Sequence, residues 1–145
     1  MLLRPVSLQD APLLLDWRND PLTRENSFQT TVISLEEHLR WLKDALTNPK
    51  RKLFIAEENG KAFGTVRADF SEEGCELSWT VAPEHRGKGF GKEMVRLAVI
   101  VLRPQRFFAR IKRGNVASER IAESVGLALT EAKWEAEIGF LSRNM

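Results

Sequence analysis

The segment Arg86-Gly87-Lys88-Gly89-Phe90-Gly91 constrains the fold more than any other. It follows an alternating, strand-like run and leads into a strongly apolar helical one, the strand–turn–helix layout of α/β architectures. Three glycines within five positions leave the backbone N–H groups unshielded by Cβ atoms. The following helix turns the positive end of its dipole toward them, and this combination binds phosphate or pyrophosphate. Two common glycine-rich phosphate loops do not fit. A Walker A loop would need Gly and Ser/Thr where Arg86 and Glu93 stand, and a Rossmann fingerprint begun at Gly87 would need Gly at Lys92.

The rest of the composition narrows the class. A chain of 145 residues with 43% hydrophobic content predicts a single domain over residues 1–145 with an ordinary core. Its 22 basic and 20 acidic residues are mixed along the chain, so no basic field of the kind nucleic-acid binding needs is expected. Cys75 has no partner for a disulfide, and His38 and His85 form no local metal-ligand cluster, so no metal is expected. No apolar run reaches the roughly 20 residues a membrane helix needs, and Met1 to Pro5 lacks a signal-peptide core. A soluble, cytoplasmic protein is the expectation.

Periodicity and punctuation give the elements. Leu2 to Val6 reads as a strand. Asp10 caps a helix to about Arg18, ended by Asn19-Asp20-Pro21. Ser34-Leu35-Glu36-Glu37 forms a capping box before the stripe Leu35, Leu39, Leu42, Leu46. Lys52 to Glu58 and Lys61 to Phe70 flank Asn59-Gly60, a hairpin signal. Cys75 to Val81 is a further strand, with Cys75, Leu77, Trp79 and Val81 on one face and Glu76, Ser78 and Thr80 on the other. A helix from Lys92 to Leu102, a strand from Arg106 to Lys112 and a helix through Ala117, Ile121 and Val125 follow, the last stopped by Gly126. Leu127 to Ser142 holds one or two final strands. The predicted order is β-α-α-β-β-β-α-β-α-β, an α/β sandwich with a mixed sheet.

The loop Arg86, Gly89, Gly91, its lead-in Val81-Ala82-Pro83-Glu84-His85, and Asn115 with Ser118 on the next strand-to-helix turn resemble the GNAT N-acetyltransferase superfamily, as does the element order. That resemblance implies a mostly antiparallel central sheet with helices on both faces and acetyl-CoA as co-substrate. It implies that backbone N–H groups from Gly87 to Gly91, including Phe90, cradle the CoA pyrophosphate, with Arg86, Lys88 and Lys92 adding positive charge. The pantetheine arm would lie in a splay between Trp79–Val81 and Arg110–Lys112. Asn115 would bond that arm, or else simply cap its helix, and Ser118 and Arg120 would sit near the phosphate end. The backbone N–H of Val81 or Thr80 would polarise the thioester carbonyl. Many similar domains form homodimers through their last strands, and Trp134 to Phe140 is apolar enough for that.

A narrower resemblance lies in Trp17-Arg18-Asn19-Asp20-Pro21 and Glu36-Glu37-His38-Leu39-Arg40-Trp41. These are similar to nucleotide-amino-sugar N-acetyltransferases of bacterial surface-glycan pathways, such as pseudaminic acid biosynthesis, and recur in relatives that acetylate protein N-termini. Arg18, Asn19 and His38 are thereby expected to bind a small-molecule amine, unless Trp17 and Trp41 are core and the polar residues a solvated face. Within the polar stripe, Glu76 is the candidate general base, the alternative being a structural ion pair with Arg67. Cys75 points to the apolar face and is not expected to act as a nucleophile. The usual tyrosine of the family is replaced by Ala122. A water, Ser118 or Ser124 would then protonate the leaving thiolate, the thiolate would leave unassisted, or the domain would bind acyl-CoA without turnover.

Overall fold

A computed structural model describes residues 1–129 and the strand Ile138–Asn144. Its elements are β1 (Leu2–Pro5), α1 (Ala11–Asn19), α2 (Pro21–Glu25), α3 (Leu35–Thr47), β2 (Arg51–Glu58), β3 (Lys61–Ser71), β4 (Gly74–Val81), α4 (Phe90–Leu102), β5 (Arg106–Lys112), α5 (Val116–Ser124), β6 (Ala128–Leu129) and β7 (Ile138–Asn144). The strands form one mixed sheet in the order β1-β2-β3-β4-β5-β7-β6, antiparallel throughout except where β4 meets β5. Helices cover both faces, as expected.

Strand alternation feeds two separate cores. On one face Val66, Cys75, Leu77 and Phe107 pack beneath Met94, Val95 and Ala98 of α4 and Ala122 of α5. On the other, Leu53 and Ile55 pack beneath Leu14 and Trp17 of α1 and Leu42 and Ala45 of α3. The hairpin forms at Asn59-Gly60, both residues with positive φ (52° and 77°), the geometry a type I′ turn requires.

Two local expectations are corrected. Asn19-Asp20-Pro21 ends α1 but also opens α2: the Asp20 carboxylate accepts the Thr23 N–H at 3.1 Å, and Pro21 takes the first helical position, where its missing N–H costs nothing. In α3 the buried stripe is His38, Leu42 and Ala45, whereas Leu35 and Leu46 are exposed. The helix is rolled away from its leucine seam toward His38 and Trp41, which lets it wall the cleft described next. Of the apolar stretch from Trp134 to Phe140, residues 134–137 lie outside the described residues.

Candidate active site

The parallel ladder between β4 and β5 is confined, among the described residues, to Cys75–Phe107 and Glu76–Phe108. Beyond Glu76 the strands part, leaving a seam between Trp79–Val81 and Arg110–Lys112. The seam opens into a cleft of about 360 Å³ walled by α1, α3, β4, β5 and the 23–33 connection. Ala82 N–H donates to Phe63 O on β3 at 2.8 Å. Successive strand amides point to opposite edges, so the Val81 N–H is turned into the seam and the Thr80 N–H is turned back toward β3. Of the two backbone donors expected, Val81 has the right direction. Thr80 contributes to the cleft wall instead.

At one end of the seam sits the glycine loop. Gly89 adopts a left-handed conformation (φ 82°) as the N-cap of α4, and a Cβ at Gly87 or Gly89 would meet nothing within 4 Å. Among the described residues, no protein acceptor takes the N–H groups of Gly87 to Gly91, including that of Phe90. Gly91 differs: a Cβ there would stand 2.5 Å from Ile121 Cδ1 and 3.2 Å from Val81 Cγ2. Glycine lets the α4 N-terminus approach β4 and α5 this closely without displacing the end of the Ile121 side chain. Free N–H donors at a helix N-terminus suit a pyrophosphate, so the loop fits a CoA nucleotide. Lys88 and Lys92 beside it are exposed.

Arg86 behaves differently from its neighbours. Its guanidinium pairs with Asp20 at 2.5 Å and donates to Thr23 Oγ1 at 2.8 Å, clasping α2 to the loop. The Arg86 partner holds the Asp20 carboxyl below its usual pKa. Lys112, at the end of β5, makes a matching clasp by donating to the carbonyls of Glu25 (2.9 Å) and Ser27 (3.3 Å). The α2 segment thus spans the seam and is held at both lips. Asn19 is committed elsewhere. Its amide donates to Ile33 O at 2.8 Å and accepts Ile33 N–H at 2.9 Å, and it does not line the cleft.

Glu76, Ser78 and Thr80 line the cleft as a stripe. Glu76 faces Arg110 Nη1 at 3.6 Å, and no ion pair joins it to Arg67, which lies beside Asp69 at 3.0 Å. Burial raises the Glu76 pKa, and the Arg110 charge opposes that rise only in part. Cys75 is buried in the opposite core, where desolvation pushes its thiol up to about 11, so it is not a thiolate at neutral pH. Ser118 lines the cleft, and Asn115 both lines it and caps α5 by accepting Ser118 N–H at 3.2 Å. Ser124 donates its hydroxyl to Ile121 O at 2.6 Å, and Ala122 is buried in the core. Arg18 and His38 join the wall. Sequence reasoning did not single out Arg67, Thr65 and Lys112 as cleft residues. The signal was the alternation of β3, whose Thr65, Arg67 and Asp69 face Thr80, Ser78 and Glu76 across the ladder.

Residues 1–128 match the acetyltransferase (GNAT) domain family, and the chain belongs to it. Over 82 residues it is 28% identical to acetyltransferase PseH of Campylobacter jejuni, the match covering 56% of this chain and 52% of that protein. The matched stretch therefore spans about half of that relative. Among solved structures, spermidine N-acetyltransferase from Vibrio cholerae, determined with CoA and spermine, superposes with a TM-score of 0.88 at 16% identity over 99% of this chain and 94% of its own. Ribosomal-protein-alanine N-acetyltransferase from Brucella melitensis gives 0.84 at 24% identity over the whole of both chains. At these identities the two structures report the shared fold.

Proposed function

We propose that the chain transfers the acetyl group of acetyl-CoA directly to the primary amine of a small molecule, with a nucleotide-linked amino sugar as the acceptor class. The observation that carries this is the seam between β4 and β5. It has the glycine loop at one end, Glu76 at the other, and a cleft open along its length. The sugar class is supported by the similarity to PseH and by the Trp17–Pro21 and Glu36–Trp41 motifs, whose Arg18, His38 and Trp41 all reach the cleft.

Acetyl-CoA, when bound, supplies an activated thioester. The chain's residues then have distinct tasks. The N–H groups of Gly87 to Gly91 hold the pyrophosphate, and Asn115 faces the arm. Glu76, whose proton affinity burial raises, removes a proton from the acceptor amine, directly or through a water. The Val81 N–H, aimed into the seam, stabilises the oxyanion that forms as nitrogen attacks the carbonyl carbon. As the C–S bond breaks, Ser118 is the hydroxyl on the cleft available to the departing sulfur, since the Ser124 hydroxyl is already committed.

A thiol-release assay with acetyl-CoA and a panel of amines, including amino sugars free and nucleotide-linked, tests the proposal. Turnover with a sugar amine and none with peptides beginning in alanine is the expected outcome. Turnover with those peptides alone would transfer the chain to protein N-terminal acetylation. Saturable acetyl-CoA binding without turnover of any amine would leave a binding module.

A further inference from the structure

The acceptor half of the cleft contains a positive charge that no carboxylate contacts directly among the described residues. Arg18 is a half-buried cleft residue whose guanidinium lies 5.3 Å from the centre of the Trp41 ring and makes no hydrogen bond or ion pair among the described residues. Burial first and the neighbouring Arg67 charge second disfavour its protonated form, and the Glu37 carboxylate offsets them only in part. Arginine nevertheless stays charged in proteins, so deprotonation is not an escape. The other basic groups of the wall are engaged: Arg110 with Glu73 and Glu76, Lys112 with two carbonyls, Arg67 beside Asp69. Across the lining, four basic side chains (Arg18, Arg67, Arg110, Lys112) stand against a single carboxylate, Glu76.

Beside Arg18 lies a second uncommitted group. His38 is 2% exposed, stacks on Trp41 at 5.9 Å, and leaves both ring nitrogens without a partner among the described residues. Burial first, and the Arg18 charge second, keep it neutral, so it offers one N–H donor. Buried polar atoms of this kind are normally satisfied, and a guanidinium fork next to an imidazole donor is complementary to an oxyanion. Arg67 approaches the same Trp41 ring at 5.8 Å and reaches Ser78 Oγ at 3.5 Å, extending the donor surface along β3 and β4.

We infer that Arg18 and His38, seated on Trp41 with Arg67 alongside, form a subsite for an oxyanion carried by the acceptor, a phosphate or a carboxylate. The site selects anionic amines. It rejects polycations such as polyamines, whose extra ammonium groups would face Arg18 and Arg67 across a half-buried wall. The inference rests on the acetyl-transfer reading for its meaning as an acceptor site, but it can fail separately.

Calorimetry on the full chain saturated with CoA tests it, because CoA then occupies the glycine loop and a phosphate probe must bind elsewhere. Uridine diphosphate, inorganic pyrophosphate, citrate and spermidine are the probes. At least one oxyanion should bind saturably to the CoA-loaded protein, losing about tenfold or more in affinity in Arg18→Gln and recovering part of it in Arg18→Lys. CoA affinity, which also reports folding, should be unchanged in both variants. Preference for the diphosphates assigns a phosphate, and preference for citrate assigns a carboxylate. The subsite is overturned if no oxyanion binds the CoA-loaded wild-type chain, if Arg18→Gln binds as the wild type does, or if spermidine binds more tightly than the anions. Failure of the wild-type chain to bind CoA would instead overturn the acetyltransferase function.

Discussion

At the scale of single residues, the chemistry depends on how the Glu76 carboxylate is poised. Burial raises its pKa and Arg110 restrains the rise, so the group loses its proton above the ordinary carboxylate range. A base is active only when deprotonated. The rate should therefore fall as pH drops through that raised value, an acid limb absent from Glu76→Gln. At the optimum, the same variant should lower kcat/KM by about tenfold or more while CoA affinity holds, because one positioned base contributes about 10²–10⁴-fold. A pH–rate profile of the two proteins, with CoA titration as control, decides it. Unchanged turnover in Glu76→Gln would remove Glu76 from the role. Gly91 acts through packing. A methyl there meets only side-chain ends, Ile121 Cδ1 at 2.5 Å and Val81 Cγ2 at 3.2 Å, which can shift, so Gly91→Ala should cost about 1 kcal/mol or less in urea unfolding. Gly87→Ala has open space around its Cβ but carries the strain of its positive φ (76°) and should cost about 1–2 kcal/mol.

At the scale of elements, α2 buries none of its residues and is held by the Arg86 and Lys112 clasps. An element so attached is easily displaced. Asp20→Asn removes the carboxylate charge that Arg86 grips. It should raise the acceptor KM severalfold with smaller changes in kcat and CoA affinity, and an unaltered KM would show that α2 does not position the acceptor. The sheet was legible in the sequence because hairpin chemistry at Asn59-Gly60 and strict alternation in Cys75 to Val81 are local signals. The short α2 was not, since Asp20-Pro21 reads equally as a stop and as a start. The roll of α3 was hidden for a different reason: leucine periodicity ranks Leu35 and Leu46 above His38, and only the cleft explains a buried histidine on that face. Arg86 was legible as part of a phosphate loop, but its long side chain turns to Asp20, a partner 66 positions earlier that no local pattern reveals.

At the scale of the whole molecule, β1 is tied into the fold by charge. Arg4 donates to both Asp10 oxygens at 2.9 and 2.7 Å and to Glu57 at 3.0 Å. The Arg4 hydrogen bond holds the Asp10 carboxyl below its usual pKa. A carboxyl depressed in the folded state adds stability above its unfolded pKa, and that stability is lost as pH falls through the folded value. Asp20 has the same sign. The chain should therefore lose stability below about pH 4. Asp10→Asn should destabilise it at neutral pH by about 2 kcal/mol and flatten that acid dependence, as read by thermal unfolding across pH. Equal pH dependence in the two proteins would mean other carboxyls dominate.

The seam also divides the sheet mechanically. β1 to β4 form one plate and β5 to β7 another, joined among the described residues by the short ladder at Cys75 and Glu76 and by the helices packed across them. A ligand that threaded the gap with its own amides would stand in for the missing strand and hold the plates together. Amides of Trp79 to Val81 should exchange with solvent quickly in the free protein and slow on CoA binding. At a CoA concentration of about 100 times Kd the fold gains about 2.7 kcal/mol. Resistance of the protein to proteolysis should rise over the same range of CoA concentration, and an unchanged cleavage rate would show that the seam does not loosen the fold.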